Sequence, residues 1–143
     1  MSNNYYFRNK KAYDKYLNII NLRDHHIEQI LDFIASTLND DEDVRKEMKE
    51  DLIQIVNVPE SYDLHIGQTS GSFKMLLHIQ EEYQTVNEME AYYQKNKKEL
   101  EIVDESDCVL TWEELLSIIK TPGTDRSSLI DIEGNNWLDS DFI

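Results

Sequence analysis

Four histidines and one cysteine carry most of the metal and nucleophile chemistry open to this chain, and two of the histidines are spaced to work together. Leu64 and Ile66 alternate with His65, while Phe73, Met75, Leu77 and Ile79 alternate with Lys74, Leu76 and His78. That two-residue period belongs to strands with one buried face. Gly67 to Gly71 supplies the Gly, Thr and Ser of a connecting turn. Placing every apolar residue on one face sets Leu64 against Leu77 or Ile79, and His65 against Leu76 or His78. The two imidazoles then share the other face. Together they make half of the roughly four ligands that a structural zinc ion takes, with His25 or His26 as ligands from outside the hairpin. The competing expectation is a pair that bonds its neighbours or faces water. Protonating one ring then disfavours protonating the other, which is weak pH sensitivity and not catalysis.

The remaining chemistry is thinner. Asp40, Asp41, Glu42 and Asp43, and likewise Asp139 and Asp141, lack the alternating spacing and closing glutamate of a calcium loop, so capping and solvation account for them. Glu81, Glu82 and Glu88, with Asp104 and Glu105, offer carboxylates but no apolar pocket to tune one as an acid or base. The Gly67–Gly71 turn has no lysine where a phosphate loop needs it. Cys108 reads as a small core hydrophobe. Tyr5, Tyr6, Phe7, Tyr13 and Tyr16 sit among Arg8, Lys10, Lys11 and Lys15, a mixture able to stack bases. Packing with solvated lysines explains it equally, and the charge of the chain favours packing.

That charge is −15 over 143 residues, and it is unevenly placed. Residues 1–39 hold five Lys/Arg and four Asp/Glu, leaving nine and twenty-five for residues 40–143. Such a field repels nucleic acid and anionic membranes and attracts basic proteins, although acidity also serves plain solubility. A lone cysteine forms no internal disulfide, and neither a leader segment nor an apolar run of about 20 residues is present, so a cytoplasmic protein is expected.

These residues need elements to hold them. Tyr5 to Arg8 reads as a short strand. From Lys10 to Leu38 apolar residues recur at three- and four-residue steps without Gly or Pro, giving one long helix capped by Asn9, or two helices broken near Asp24. Asn39 to Asp41 turns the chain into a second helix that ends before Pro59, making residues 10–57 a helical hairpin. Thr85 with Glu88, and Thr111 with Glu114, fit capping boxes, the second stapled by Leu110 and Leu115. Residues 100–103 form a strand, residues 108–110 an extended step, and residues 112–120 a helix stopped at Pro122 and Gly123. Residues 127–143 carry too many large apolar groups for a free tail and should dock back.

In order along the chain, Leu64-His-Ile-Gly-Gln-Thr-Ser-Gly-Ser-Phe73, Ile102-Val-Asp-Glu105, Leu110-Thr-Trp-Glu-Glu-Leu115 and Asp131-Ile-Glu-Gly-Asn-Asn-Trp-Leu-Asp-Ser-Asp-Phe142 follow an opening Tyr5-Tyr-Phe-Arg8. This series resembles a group of small phage- and prophage-encoded proteins, mostly of unestablished activity, with an LHIGKSSGGW-like hairpin and an EGxxWxDxDF-like end. The resemblance covers residues 5–8 and about 62–142. In some such proteins a Cys-x-x-Cys pair before the hairpin looks like half a zinc site. Here a helical segment fills that interval and the pair is absent. The resemblance implies a phage origin, not an activity.

The fold expected is α+β in one domain, with a small antiparallel sheet centred on residues 62–79 and packed by the helical hairpin and two shorter helices. The function expected is a non-enzymatic phage or prophage accessory protein, without cofactor, that binds and modulates a host protein with a basic surface, inhibition of a defence-system component being one form of this. Asp40, Asp41, Glu42, Asp43, Glu47, Glu50 and Asp51 are the candidate partner-binding residues, and His65 and His78 the candidate metal ligands. The alternative is a metal- or nucleic-acid-binding module on the His65/His78 face. The long N-terminal helix also offers a surface for pairing two copies of the chain.

Overall fold

The computed structural model describes residues 2–37 and 42–140. The chain divides into two compact units, Met1–Lys10 with Asp63–Ile143, and Lys11–Tyr62.

The first unit is built on a mixed seven-stranded sheet. Its strands are β1 (Ser2–Asn9), β2 (Asp63–Ser70), β3 (Leu76–His78), β4 (Leu100–Asp104), β5 (Val109–Leu110), β6 (Leu129–Ile130) and β7 (Asn136–Leu138), in the order β5-β4-β1-β2-β3-β7-β6. The Tyr-Tyr-Phe-Arg segment is thus an inner strand, paired antiparallel to both β2 and β4. Two helices, α3 (Val86–Asn96) and α4 (Trp112–Ile119), complete the unit. Tyr5, Phe7, Ile66, Leu77 and Ile102 from the sheet pack with Met89 of α3 and Trp112 and Leu115 of α4 in one buried cluster. At α4 the capping box is complete, with Thr111 accepting from the Glu114 amide and Glu114 accepting from the Thr111 amide. At α3 half of it forms: Thr85 accepts from the Glu88 amide, and its hydroxyl donates to the Glu88 carboxylate.

The hairpin register differs from expectation. Gly67 lies opposite Leu77 and Gln68 opposite Leu76, one residue away from the register that sets Leu64 against Ile79 and three from the one that sets it against Leu77. The cause is a bulge: Tyr5 pairs with Gly67 but Tyr6 with His65, leaving Ile66 as an extra residue. A bulge reverses the alternation on one side of itself. Ile66 and Leu77, both fully buried, therefore share the core while His65 and His78 stay together on the opposite face. A Cβ on Gly67 would stand 2.4 Å from the Leu76 carbonyl oxygen, so the close pairing at the bulge requires glycine. The strand also continues through the residues expected to turn. The turn comes at Gly71, whose φ is 53°, and Phe73 is half exposed instead of in the core.

The tail docks as expected, by pairing β7 parallel to β3, which makes the sheet mixed. Trp137 enters the core, and the fully buried Asn136 side chain accepts from the Arg126 and Ser127 amides at 2.8 and 3.1 Å and donates to Asp125. Ser127 Oγ donates to the Trp137 carbonyl. Cys108 is exposed, contrary to the core role expected, because its backbone closes a turn on Asp104 through bonds at 3.0 Å in both directions.

The second unit holds α1 (Lys10–Thr37) and α2 (Glu42–Ile55). α1 runs unbroken through Asp24. Arg23 instead bridges Asp24 and donates to the Val56 carbonyl at 3.1 Å. Tyr62 packs on Tyr13 and Tyr16 with ring centroids 4.8 and 4.9 Å away. The expected cap at residues 39–41 lies outside the described residues. Among those described, no helix is long and apolar enough to cross a membrane.

Candidate functional site

His65 and His78 are brought together by the hairpin, with their Nδ1 atoms 3.2 Å apart and their rings 5.3 Å apart, edge to face. Every second residue of β1 shares their face, and this supplies groups that the sequence reading did not single out for the site. Asn4 donates through Nδ2 to Glu105 at 3.1 Å, which turns its Oδ1 toward His65 Nε2 at 2.9 Å. His65 Nε2 must therefore carry a hydrogen. The Tyr6 ring lies 5.3 Å from the His65 ring. Gln80 Nε2 and the Tyr83 hydroxyl both donate to the His65 carbonyl, at 3.0 and 3.1 Å, and Gln80 Nε2 stands 3.3 Å from His78 Nδ1. The signal for Asn4 and Tyr6 was the strand period itself, once Tyr5–Arg8 was read as a strand.

Burial of His65, followed by the nearby charge of His78, pushes its pKa down from 6.5 to about 4. His65 is neutral at pH 7, with its hydrogen on Nε2 and a bare Nδ1. That Nδ1 faces His78 Nδ1 at 3.2 Å, and Gln80 Nε2 stands 3.3 Å from the same His78 atom. Two residues along each strand, Arg8 grips Asp63 through Nε and Nη2 at 2.9 and 3.0 Å and Asp107 through Nη1 at 2.9 Å. This buried fork raises the Arg8 pKa, chiefly through its bond to Asp63.

As a metal centre the pair is half complete. The 3.2 Å separation of the two Nδ1 atoms is close to the roughly 3.3 Å between two nitrogens on a tetrahedral zinc with ordinary bond lengths. Among the described residues, however, no group of three or more His, Cys, Asp or Glu gathers around a point. His25 and His26 belong to α1 in the other unit, where the His26 ring lies 3.2 Å from Gln29 Oε1. The mixture of aromatic and basic residues is dispersed: Tyr5 and Phe7 enter the core, Tyr6 and Arg8 take the opposite sheet face, and Tyr13 and Tyr16 pack on Tyr62.

The candidate partner-binding residues fall on α2, apart from Asp40 and Asp41, which lie outside the described residues. The helix sorts its charges. Arg45 reaches Asp32 and Glu28 of α1 at 2.7 and 3.0 Å, and Lys49 reaches Glu28 at 2.6 Å. The Glu28 pKa is lowered by Lys49 first and Arg45 second. Glu42, Asp43, Glu47, Glu50 and Asp51 are all exposed, and none makes an ion pair among the described residues. At about 100° per residue, Asp43, Glu47, Glu50 and Asp51 fill one arc of roughly 100° on the side away from Arg45. Lys46 borders that arc as its nearest cation on α2. The result is an acidic ridge with Arg45 and Lys49 turned to α1 and the exposed Lys46 at its border.

Comparison with protein-family models, with curated proteins and with solved structures finds no match in any of the three.

Proposed function

We propose that this protein acts by binding a basic protein, using the α2 ridge of Asp43, Glu47, Glu50 and Asp51, with the exposed Glu42 beside it, as the contact surface and performing no chemistry of its own. The observation that carries this reading is the sorting of charge on α2. Asp43 with Glu47, and Glu47 with Asp51, set like charges four residues apart, an arrangement that destabilises a helix by a few tenths of a kcal/mol per pair. A basic partner would relieve that repulsion and gain from the field of a chain with net charge −15. The resemblance to phage proteins adds the kind of partner: a host protein of the cytoplasm, such as a defence component whose nucleic-acid-binding surface the ridge would occupy. Affinity capture from host lysate tests this. A saturable partner should be recovered by the wild type and released as salt is raised, and the same bait should fail when the ridge carboxylates are replaced by amides. Recovery that is indifferent to the ridge contradicts the proposal.

A second reading rests on the 3.2 Å Nδ1–Nδ1 separation, which suits a metal ion shared by His65 and His78 with a ligand from a partner. Elemental analysis of the purified protein decides it. Stoichiometric zinc that disappears in His65→Ala establishes that reading, and a zinc-free wild type removes it.

A further inference from the structure

A stripe of α1 remains bare. Leu22 and Phe33 are 59% and 71% exposed, and Ile19 and Ile30 about half exposed, although apolar side chains of this size ordinarily pack. With His26, also exposed, they fall within about 80° of arc on one side of the helix. Glu28 and Asp32, which hold Arg45 and Lys49 of α2, project from the other side. The α1–α2 pairing therefore leaves most of the stripe exposed, with residues 58–62 lining a cleft beside Ile19 at its N-terminal end.

The stripe has a symmetry of its own. Leu22 and Ile30 stand four residues before and after His26, and Ile19 and Phe33 stand seven before and after it. Laid antiparallel on an identical helix about a two-fold axis through His26, each apolar side chain meets an apolar one: Ile19 meets Phe33, Leu22 meets Ile30, and His26 meets His26. A closed two-fold dimer requires this self-complementarity. Charge selects the same direction. Lys11 and Lys15, both exposed, lie along the stripe in its N-terminal half, and on the same side the C-terminal half bears Gln29, Ser36 and Thr37. A parallel pair would set Lys11 and Lys15 over their own copies, whereas the antiparallel pair carries these cations to opposite ends.

We propose that two copies of this chain associate antiparallel through α1, with Ile19, Leu22, His26, Ile30 and Phe33 as the contact. The contact runs along about 21 Å of helix. Because α2 joins α1 on the other side, dimerisation leaves both acidic ridges open and makes the assembly bivalent. The inference does not depend on the identity or existence of a basic partner, since it is read on the pure protein.

Sedimentation velocity across a concentration series should show a monomer–dimer equilibrium for the full chain. Leu22→Glu combined with Phe33→Glu should leave a monomer with unchanged helical circular dichroism. Register is read in a Cys108→Ser background. His26→Cys alone should oxidise to a disulfide-linked dimer, and Ile19→Cys mixed with Phe33→Cys should cross-link, whereas Ile19→Cys alone should not. A wild type that stays monomeric at its highest soluble concentration overturns the proposal. So does a dimer indifferent to the glutamates, or cross-linking by Ile19→Cys alone as fast as by His26→Cys. Should the glutamate variant lose helix, the cysteine series still decides.

Discussion

His65 and Asn136 are the polar residues whose surroundings decide most. In the folded chain His65 takes a proton near pH 4, and in the unfolded chain near 6.5. Between those values the unfolded state binds more protons, so the contribution of His65 to stability is complete above about pH 6.5 and is lost as the pH falls toward 4. Allowing for its partial exposure, the loss is about 1–2 kcal/mol. It should appear as a drop in the urea midpoint over that range, and His65→Gln should flatten this part of the profile. Asn136→Ala strands the amides of Arg126 and Ser127 and should cost about 2–3 kcal/mol by the same assay. The pairing of His65 with His78 was legible from alternation alone. Asn4 as the group that fixes the His65 tautomer was not, because it depends on the register of a strand sixty residues earlier in the chain. Cys108 was misread for a related reason: its hydrophobicity is outweighed by a backbone turn on Asp104.

At the scale of elements, caps and long stripes were readable and local insertions were not. The α4 capping box, the α3 start and the strand at residue 100 formed where their patterns placed them. The bulge at Ile66 escaped because an apolar residue at that position fits the alternation with or without it. Gly67 carries the evidence for it in space: Gly67→Ala would force the β2–β3 contact apart and should destabilise by about 2 kcal/mol or more, seen as a lower unfolding temperature. The parallel docking of β7 was equally hidden, since three residues carry too little period to choose a partner. On α2, Glu47→Gln removes both like-charge pairs at once and should stabilise the protein by roughly 0.4–1 kcal/mol in thermal unfolding. The same substitution should weaken partner binding, a trade expected of a surface whose charge serves recognition and not folding.

For the whole molecule, the α+β class followed from strands and helices alternating with short connections, and the acid excess of residues 40–143 was plain in the sequence. What composition could not give was the placement of that charge. On α2 Arg45 and Lys49 turn to α1 and the carboxylates turn to solvent, so a net charge becomes an arc of one sign with Lys46 at its edge. The measurement that tests this account most directly is a comparison of two amide variants as baits in quantitative affinity capture from host lysate. One carries Glu42→Gln, Asp43→Asn, Glu47→Gln, Glu50→Gln and Asp51→Asn; the other carries Glu81→Gln and Glu82→Gln, two exposed acids of the other unit. The account predicts that the ridge variant holds its partner at least about tenfold more weakly than wild type while the control binds unchanged. Equal binding by the ridge variant and wild type would contradict it.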